Sequence, residues 1–293
     1  MSSPESIPSA SDFESATVSL IGGRKLNQDR TRVITSDDSV LIVLADGLGG
    51  HPKGEVAAQI LVDTSIDLFH QTAHPADSAR ALLEEILVET HHRITDFGTN
   101  QEPPILPRST AVIALIHDDM AWWTYVGDSR LYVIRDGKVL ERTKDHSYVQ
   151  MLHEEGIISH AEMSHHPQRN YITRCLGGSV WPPQASFGQI SRLQKNDILL
   201  ACSDGFWEHL DDSQLGETIS REVDLDKCLR ELALTAVDLG GPHSDNVTAA
   251  AVRCGYNRPT SSNDIESDLD DAIDALQQAM ARLGKTPPSQ ESS

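Results

Sequence analysis

The residues with chemistry to offer are aspartates that close apolar runs. Residues 40–45 form an unbroken apolar run that stops at Asp46-Gly47-Leu48-Gly49-Gly50. A run without alternation reads as a strand covered on both faces, and the glycines after it permit a sharp turn and close backbone approach to a ligand. Asp-Gly alone is a common turn signal. Its recurrence changes the reading. Residues 198–202 lead into Ser203-Asp204-Gly205, residues 122–126 into Gly127-Asp128-Ser129-Arg130, and Ser244-Asp245-Asn246 precedes the apolar stretch 247–252. Acids delivered to several strand ends form one cluster, and clustered like charges are costly unless something positive compensates them. An oxygen-only donor set favours Mg or Mn over Zn. Asp136-Gly137 is the contrasting case: hairpin arms flank it on both sides, so it reads as a turn and nothing more.

A strand at 17–21 is followed by a polar loop holding Arg24, Asn27, Gln28 and Asp29. A guanidinium donates two parallel hydrogen bonds and stays charged at any working pH, which suits it to a phosphate. Arg24 is therefore the candidate oxyanion clamp.

The elements that must position these groups are strands at 110–116, 120–126, 131–134 and 247–252, with amphipathic helices at 54–69 and 76–97 and a loop at 98–107. Residues 143–178 turn helical and polar. His146, His153, His160, His165 and His166 fall there with no spacing that sets them around a metal, and are assigned to surface and loop packing; a flap over the site is the functional alternative. Residues 210–239 read as loop and helix. No G-x-G-x-x-G or G-x-x-x-x-G-K signature supports a nucleotide-binding doubly wound fold.

The formal charge of -20, from 44 acids against 24 Lys and Arg, disfavours nucleic acid and anionic membranes as generic partners. Cys175, Cys202, Cys228 and Cys254 form no C-x-x-C pair, so neither a zinc site nor a disulfide framework is indicated, and a reducing cytosol is the expected setting. The polar N-terminus lacks a signal-peptide pattern, and no apolar run nears the roughly 20 residues needed to span a bilayer. The expected organisation is a disordered segment at 1–15, a catalytic domain at 16–256, a linker at 257–263, an acidic amphipathic helix at 264–284 and a disordered tail at 285–293. The apolar stripe of that helix, Ile265, Leu269, Ile273, Leu276, Met280 and Leu283, packs on its own domain or docks a partner.

The set Arg24-x-x-Asn27-Gln28-Asp29, Asp46-Gly47-x-Gly49-Gly50-His51, Val126-Gly127-Asp128-Ser129-Arg130, Ser203-Asp204-Gly205 and Asp245-Asn246-x-Thr248, in this order, resembles the type 2C metal-dependent serine/threonine protein phosphatases in their bacterial form. The resemblance spans roughly residues 17–253, with lesser echoes at Lys144-Asp145-His146-Ser147 and at 172–177. It implies an α+β fold, a four-layer αββα sandwich of two central antiparallel sheets flanked by helices. It also implies a centre of two Mn or Mg ions, with a weaker third. Asp46 would bridge the two ions and the Gly47 carbonyl would ligate one. Asp204 and Asp245 would complete the other shell, and Asp128 with Asp204 would hold the third ion. Asp29 orients metal-bound water, Arg24 takes the substrate phosphate, and Asn27, Gln28 and Asn246 support them.

Eukaryotic-type members place a His directly after the Asp-Gly pair as general acid. Leu48 stands there in this chain, so His51 or a metal-bound water is the expected proton donor. The implied substrates are phosphoserine and phosphothreonine proteins modified by a serine/threonine kinase, with a forkhead-associated-domain protein as a further partner. A silent binding module is the alternative, against which the retained acid cluster argues, since uncompensated buried charge destabilises.

Overall fold

The computed structural model describes residues 13–255 apart from 37–38, 73–77, 118 and 189–190. β3 (Ser39–Ala45) is buried along its whole length, and its two faces meet different partners. Leu41, Val43 and Ala45 join a cluster with α1 (Gly54–Gln71) and α2 (Ala79–Thr99), whereas Val40, Ile42 and Leu44 join a cluster between two sheets. Neither face can carry a solvated side chain, which is why the sequence here shows no alternation. Each fully buried Val, Leu or Ile contributes roughly 1.5–3 kcal/mol of burial energy, so β3 is anchored from both sides.

One sheet has the order β10 (Ser186–Phe187), β6 (Met120–Val126), β5 (Ala111–His117), β3, β2 (Arg30–Thr35), with β11 (Ser191–Arg192) also on β6. The other runs β1 (Glu14–Leu20), β13 (Val247–Arg253), β12 (Ile198–Cys202), β7 (Arg130–Arg135), β8 (Lys138–Arg142). Neighbours in both are antiparallel. Leu131, Val133, Leu199, Ala201, Ala250 and Val252 face the first sheet. The opposite face of the second, with Tyr132, Ile134, Ile198 and Leu200, is covered by α5 (Asp204–Trp207), α6 (Asp212–Arg221) and α7 (Leu225–Gly240). The layers are helix, sheet, sheet, helix, the αββα sandwich expected.

A two-residue pairing of β4 (Arg108–Ser109) with β9 (Leu176–Gly177) ties the segment after residue 143 to the sandwich. That segment holds less helix than its polarity suggests: α3 (Tyr148–Glu154) and the four-residue α4 (His160–Met163), with Gly156 at φ +71 just past α3. Left-handed backbone of this kind cannot continue a helix.

Three boundaries shift. β1 begins at Glu14, so the expected disordered segment 1–15 and the strand start at 17 are both corrected: Glu14 pairs in register with Arg253, and Arg253 donates to its carboxylate at 2.8 Å. α2 starts at Ala79 and reaches Thr99, taking in Gly98 from the expected loop. Gly98 permits this because a Cβ there would stand 2.4 Å from the Ile105 carbonyl, where the chain returns past the helix end.

The chain divides into two units, residues 1–256 and 257–293. The expected linker at 257–263, helix at 264–284 and tail at 285–293 lie outside the described residues. Among the described residues no helix is long and apolar enough to cross a membrane.

Candidate active site

Asp46 follows β3, Asp128 sits between β6 and β7, Asp204 opens α5 after β12, and Asp245 precedes β13. All four line one cavity of about 600 Å³, together with Arg24, Gln28, Gly47, His51 and Asn246. Strands from both sheets therefore end at a shared edge and deliver the acids the sequence singles out.

The turn at Asp46 is fixed through its main chain. Its N–H donates to Thr110 Oγ1 at 3.0 Å, and its carbonyl accepts from Thr110 N at 2.8 Å and Ser109 Oγ at 3.0 Å. Gly47 donates to the Gln28 carbonyl at 3.2 Å, and a Cβ on it would stand 2.4 Å from the Gly54 backbone. Only glycine admits that approach. With its main chain committed, Asp46 has its carboxylate left for the cavity.

The loop of Arg24 is held from the other end of the chain. Asn246 donates from its side-chain amide to the Ile21 and Leu26 carbonyls at 2.9 and 3.1 Å, and accepts from Gln28 N at 2.8 Å. Asn27 caps Asp29 N at 3.0 Å and donates to Ser19 Oγ at 2.8 Å. Arg24 Nη2 meets Asp245 Oδ2 at 2.6 Å in a half-exposed pair. Such a pair is weak, on the order of 0–1 kcal/mol, so the guanidinium can turn to another anion at little cost.

Asp29 is buried beneath the cavity, where its carboxylate accepts from Ser203 Oγ at 2.9 Å and bonds to Thr248 and Asp46. Burial pushes it up to about 6 despite those hydrogen bonds. Asp128 rises to about 7, through burial first and Asp145 second. Asp46 and Asp204 are pushed well above the carboxylate range by burial and then by neighbouring acids, Asp29 foremost for Asp46 and Asp128 for Asp204. His51 moves the other way: burial and the Arg108 guanidinium lower it, which favours the neutral ring at neutral pH.

Among the described residues no three Asp, Glu, His or Cys side chains converge into a ready-made cage. The donor set nonetheless fits a divalent cation. Asp128 Oδ1 is buried without a hydrogen-bond partner. The mutual repulsion of the acids is the strain a bound cation removes, and oxygen-only donors suit Mg or Mn.

Several residues of the site have roles that the sequence did not signal. Thr110 and Ser109 grip Asp46, Ser203 bridges Asp29 and Thr248, and Trp207 donates to the Asp128 carbonyl at 3.1 Å. His146 is half-buried loop packing: it stacks on Tyr125 with ring centroids 4.9 Å apart, and accepts from Gly127 N at 3.1 Å. Burial lowers it to about 4, so it stays neutral while holding the strand end beside Asp128. His153, His160, His165 and His166 do not line the cavity of the acids, although His160 lines a neighbouring one.

Residues 19–236 match the family described as Protein phosphatase 2C. The chain belongs to that family. Membership makes it a metal-dependent serine/threonine protein phosphatase. A putative protein phosphatase 2C-type of Streptococcus pyogenes is 30% identical over 231 residues, covering 78% of this chain and 92% of the relative. PppA, a key regulatory component of T6SS in Pseudomonas aeruginosa, matches at TM-score 0.69 and 30% identity over 84% of this chain and 99% of its own. The catalytic domain of the serine/threonine protein phosphatase PstP, solved in complex with two manganese ions, matches at TM-score 0.69 and 28% identity, covering 82% and 97%. The protein phosphatase 2C acids of this chain thus stand in a fold that binds manganese in a relative.

Proposed function

We propose that this phosphatase hydrolyses phosphoserine and phosphothreonine on proteins, reversing a serine/threonine kinase, and that its acids would hold two Mg or Mn ions that would supply the activated water. The observation that carries it is the convergence of Asp46, Asp128, Asp204 and Asp245 on one cavity beside Arg24. Asp46, with the Gly47 carbonyl, Asp204 and Asp245 would hold the two ions, and Asp128 with Asp204 a weaker third. When bound, such ions supply Lewis acidity to the phosphoryl oxygens and water that is nucleophilic at neutral pH.

The chain's own residues do the rest. Arg24 leaves Asp245 and clamps the phosphate with its fork of donors. Asp29, held by Ser203, orients the attacking water through Asp46. Asn27, Gln28 and Asn246 keep the Arg24 loop against the cavity. His51 lines the cavity as the candidate donor to the leaving alkoxide, although its lowered pKa leaves little of it protonated at pH 7.

Phosphorylated proteins are the substrates, in a cytoplasmic setting that the free thiols of Cys175, Cys202, Cys228 and Cys254 support. The likeness to PppA, a regulatory component, supports a regulatory role; a forkhead-associated-domain partner follows from the family resemblance alone, and docking through 264–284 from the apolar stripe of its sequence. The deciding assay is phosphate release from a phosphothreonine peptide by wild type and Asp204→Asn, with Mn, Mg or EDTA. Activity that needs Mn or Mg and vanishes in the variant is expected. A folded, metal-binding protein inactive on several phosphopeptides would instead be a binding module.

A further inference from the structure

Resting on that phosphatase reading, we propose that Arg108 is a specificity residue of this enzyme. It receives an anionic group, a carboxylate or a second phosphate, that flanks the phosphorylated residue of the substrate.

Arg108 lines the same cavity as the acids. It opens β4, pairs in register with Gly177, and its carbonyl accepts from Leu48 N at 3.0 Å, which plants it beside the loop that follows Asp46. Its guanidinium acts on two other cavity residues, lowering His51 and opposing the upward shift of the Cys175 thiol. Arg108 therefore belongs to the wall built from β4, β9 and the segment before Cys175. Arg24 belongs to the wall of Asp245. One cavity thus has two guanidiniums on different walls, and the phosphate clamp needs only one.

What separates Arg108 from the other arginines is its Nε, the one arginine nitrogen among the described residues that is buried without a hydrogen-bond partner. Arg24, Arg130, Arg135, Arg142 and Arg169 each hold an Asp or Glu. Arg108 holds none among the described residues, and its Nε is buried with no hydrogen-bond partner. Arg30, Arg32, Arg174 and Arg192 also hold no carboxylate among the described residues, but none of them lines this cavity. Partial burial of a cation without a counter-ion is costly, and an incoming anion removes that cost.

The space for the side chain is provided by Gly178: at φ +71, a Cβ there would come within 2.3 Å of Arg108 Nε. Tyr171, well exposed on the same cavity, gives the substrate chain a surface to lie on. The rest of the molecule, at net charge -20, repels acidic peptides, so a local preference for them needs a local cation.

The test compares wild type, Arg108→Gln, Arg108→Lys and Gly178→Ala in kcat and KM. The substrates are phosphothreonine peptides with basic, neutral or acidic flanks, a peptide with a second phosphothreonine, and an aryl phosphate. Wild type is expected to favour an anion-flanked over a basic-flanked peptide by about tenfold in kcat/KM, the scale of one charge-assisted contact. Arg108→Gln loses most of that ratio through KM, Arg108→Lys keeps part of it, and Gly178→Ala, which crowds the stem without removing the charge, reduces it. The acidic and doubly phosphorylated arms identify which anion is read, and thermal melts establish that each variant is folded.

An unchanged ratio in folded Arg108→Gln overturns the proposal. So does an equal loss on every substrate including the aryl phosphate, which would put Arg108 on the scissile phosphate. Wild type failing on all the peptides would instead strike the phosphatase reading itself.

Discussion

Asp46-Gly47 and Asp136-Gly137 are the same dipeptide at the end of a buried strand, put to opposite uses. In the second, Asp136 at φ +49 and Gly137 at φ +77 form a tight left-handed turn, and β8 pairs straight back onto β7. The aspartate ends in solvent. In the first, glycine is needed for closeness rather than handedness: Gly47 lies against Gly54 and Gln28, and the chain leaves the sheet for α1. Thr110 and Ser109 take up the main chain of Asp46, and its carboxylate meets four other acids. The pair carries no function by itself; whether the chain returns at once or departs decides where the carboxylate points.

The largest contrast should appear in turnover. Asp46→Asn is expected to lower kcat/KM on a phosphothreonine peptide by about 10³-fold or more, with Mn affinity falling in parallel, since it removes several kcal/mol of transition-state stabilisation. Asp136→Asn should stay close to wild type. Comparable losses in both would break the distinction.

Stability should separate the glycines next. Gly47→Ala forces a Cβ into the Gly54 backbone and should cost about 3 kcal/mol. Gly137→Ala meets nothing nearer than 3.6 Å and bears only the positive φ, about 1 kcal/mol. Urea unfolding in EDTA measures both.

Acidity marks the region of Asp46 as well. Asp29 and Asp128 rise from 3.8 to about 6 and about 7 in the folded protein. The native state therefore binds more protons than the unfolded chain from about pH 4 to 7, and stability falls as pH rises through that window. Metal-free protein should be more stable at pH 5.5 than at pH 8 by on the order of 3 kcal/mol. Saturating Mn should flatten that slope. Thermal melts at the two pH values, with EDTA or Mn, decide it.

The smallest effect is expected at His51. His51→Ala should lower turnover about tenfold on a phosphothreonine peptide and less on an aryl phosphate, whose leaving group needs little protonation. Equal losses on both would remove His51 from the acid role.

Much of this was legible in the residues. The double covering of β3 was written in its lack of alternation, and the acids announced themselves by closing apolar runs. Ser109, Thr110 and Ser203 were not legible, because a hydroxyl that grips a neighbour's main chain looks like any strand-end Ser or Thr until the strands are paired. Arg108 was missed for a related reason: its meaning lies in the partner its buried Nε lacks, and a sequence records no absence of contact. His146 read as surface and loop packing and is half-buried in a loop, but its stacking on Tyr125 was not legible, because it depends on a residue 21 positions away. The extent of β1 was hidden by its polar start, where Glu14 is drawn in by Arg253 near the far end of the domain.

The pairing of β1 with β13 over seven residues has a consequence in time. Arg24 follows the first of these strands and Asp245 precedes the second, 221 residues later. A chain emerging from the ribosome displays the arginine loop early but lacks both the acid beside it and the Asn246 amide that holds it in place. On the roles proposed for Arg24 and Asp245, the nascent protein is inert toward phosphoproteins until β13 is made, and synthesis itself sets the moment at which the phosphatase switches on.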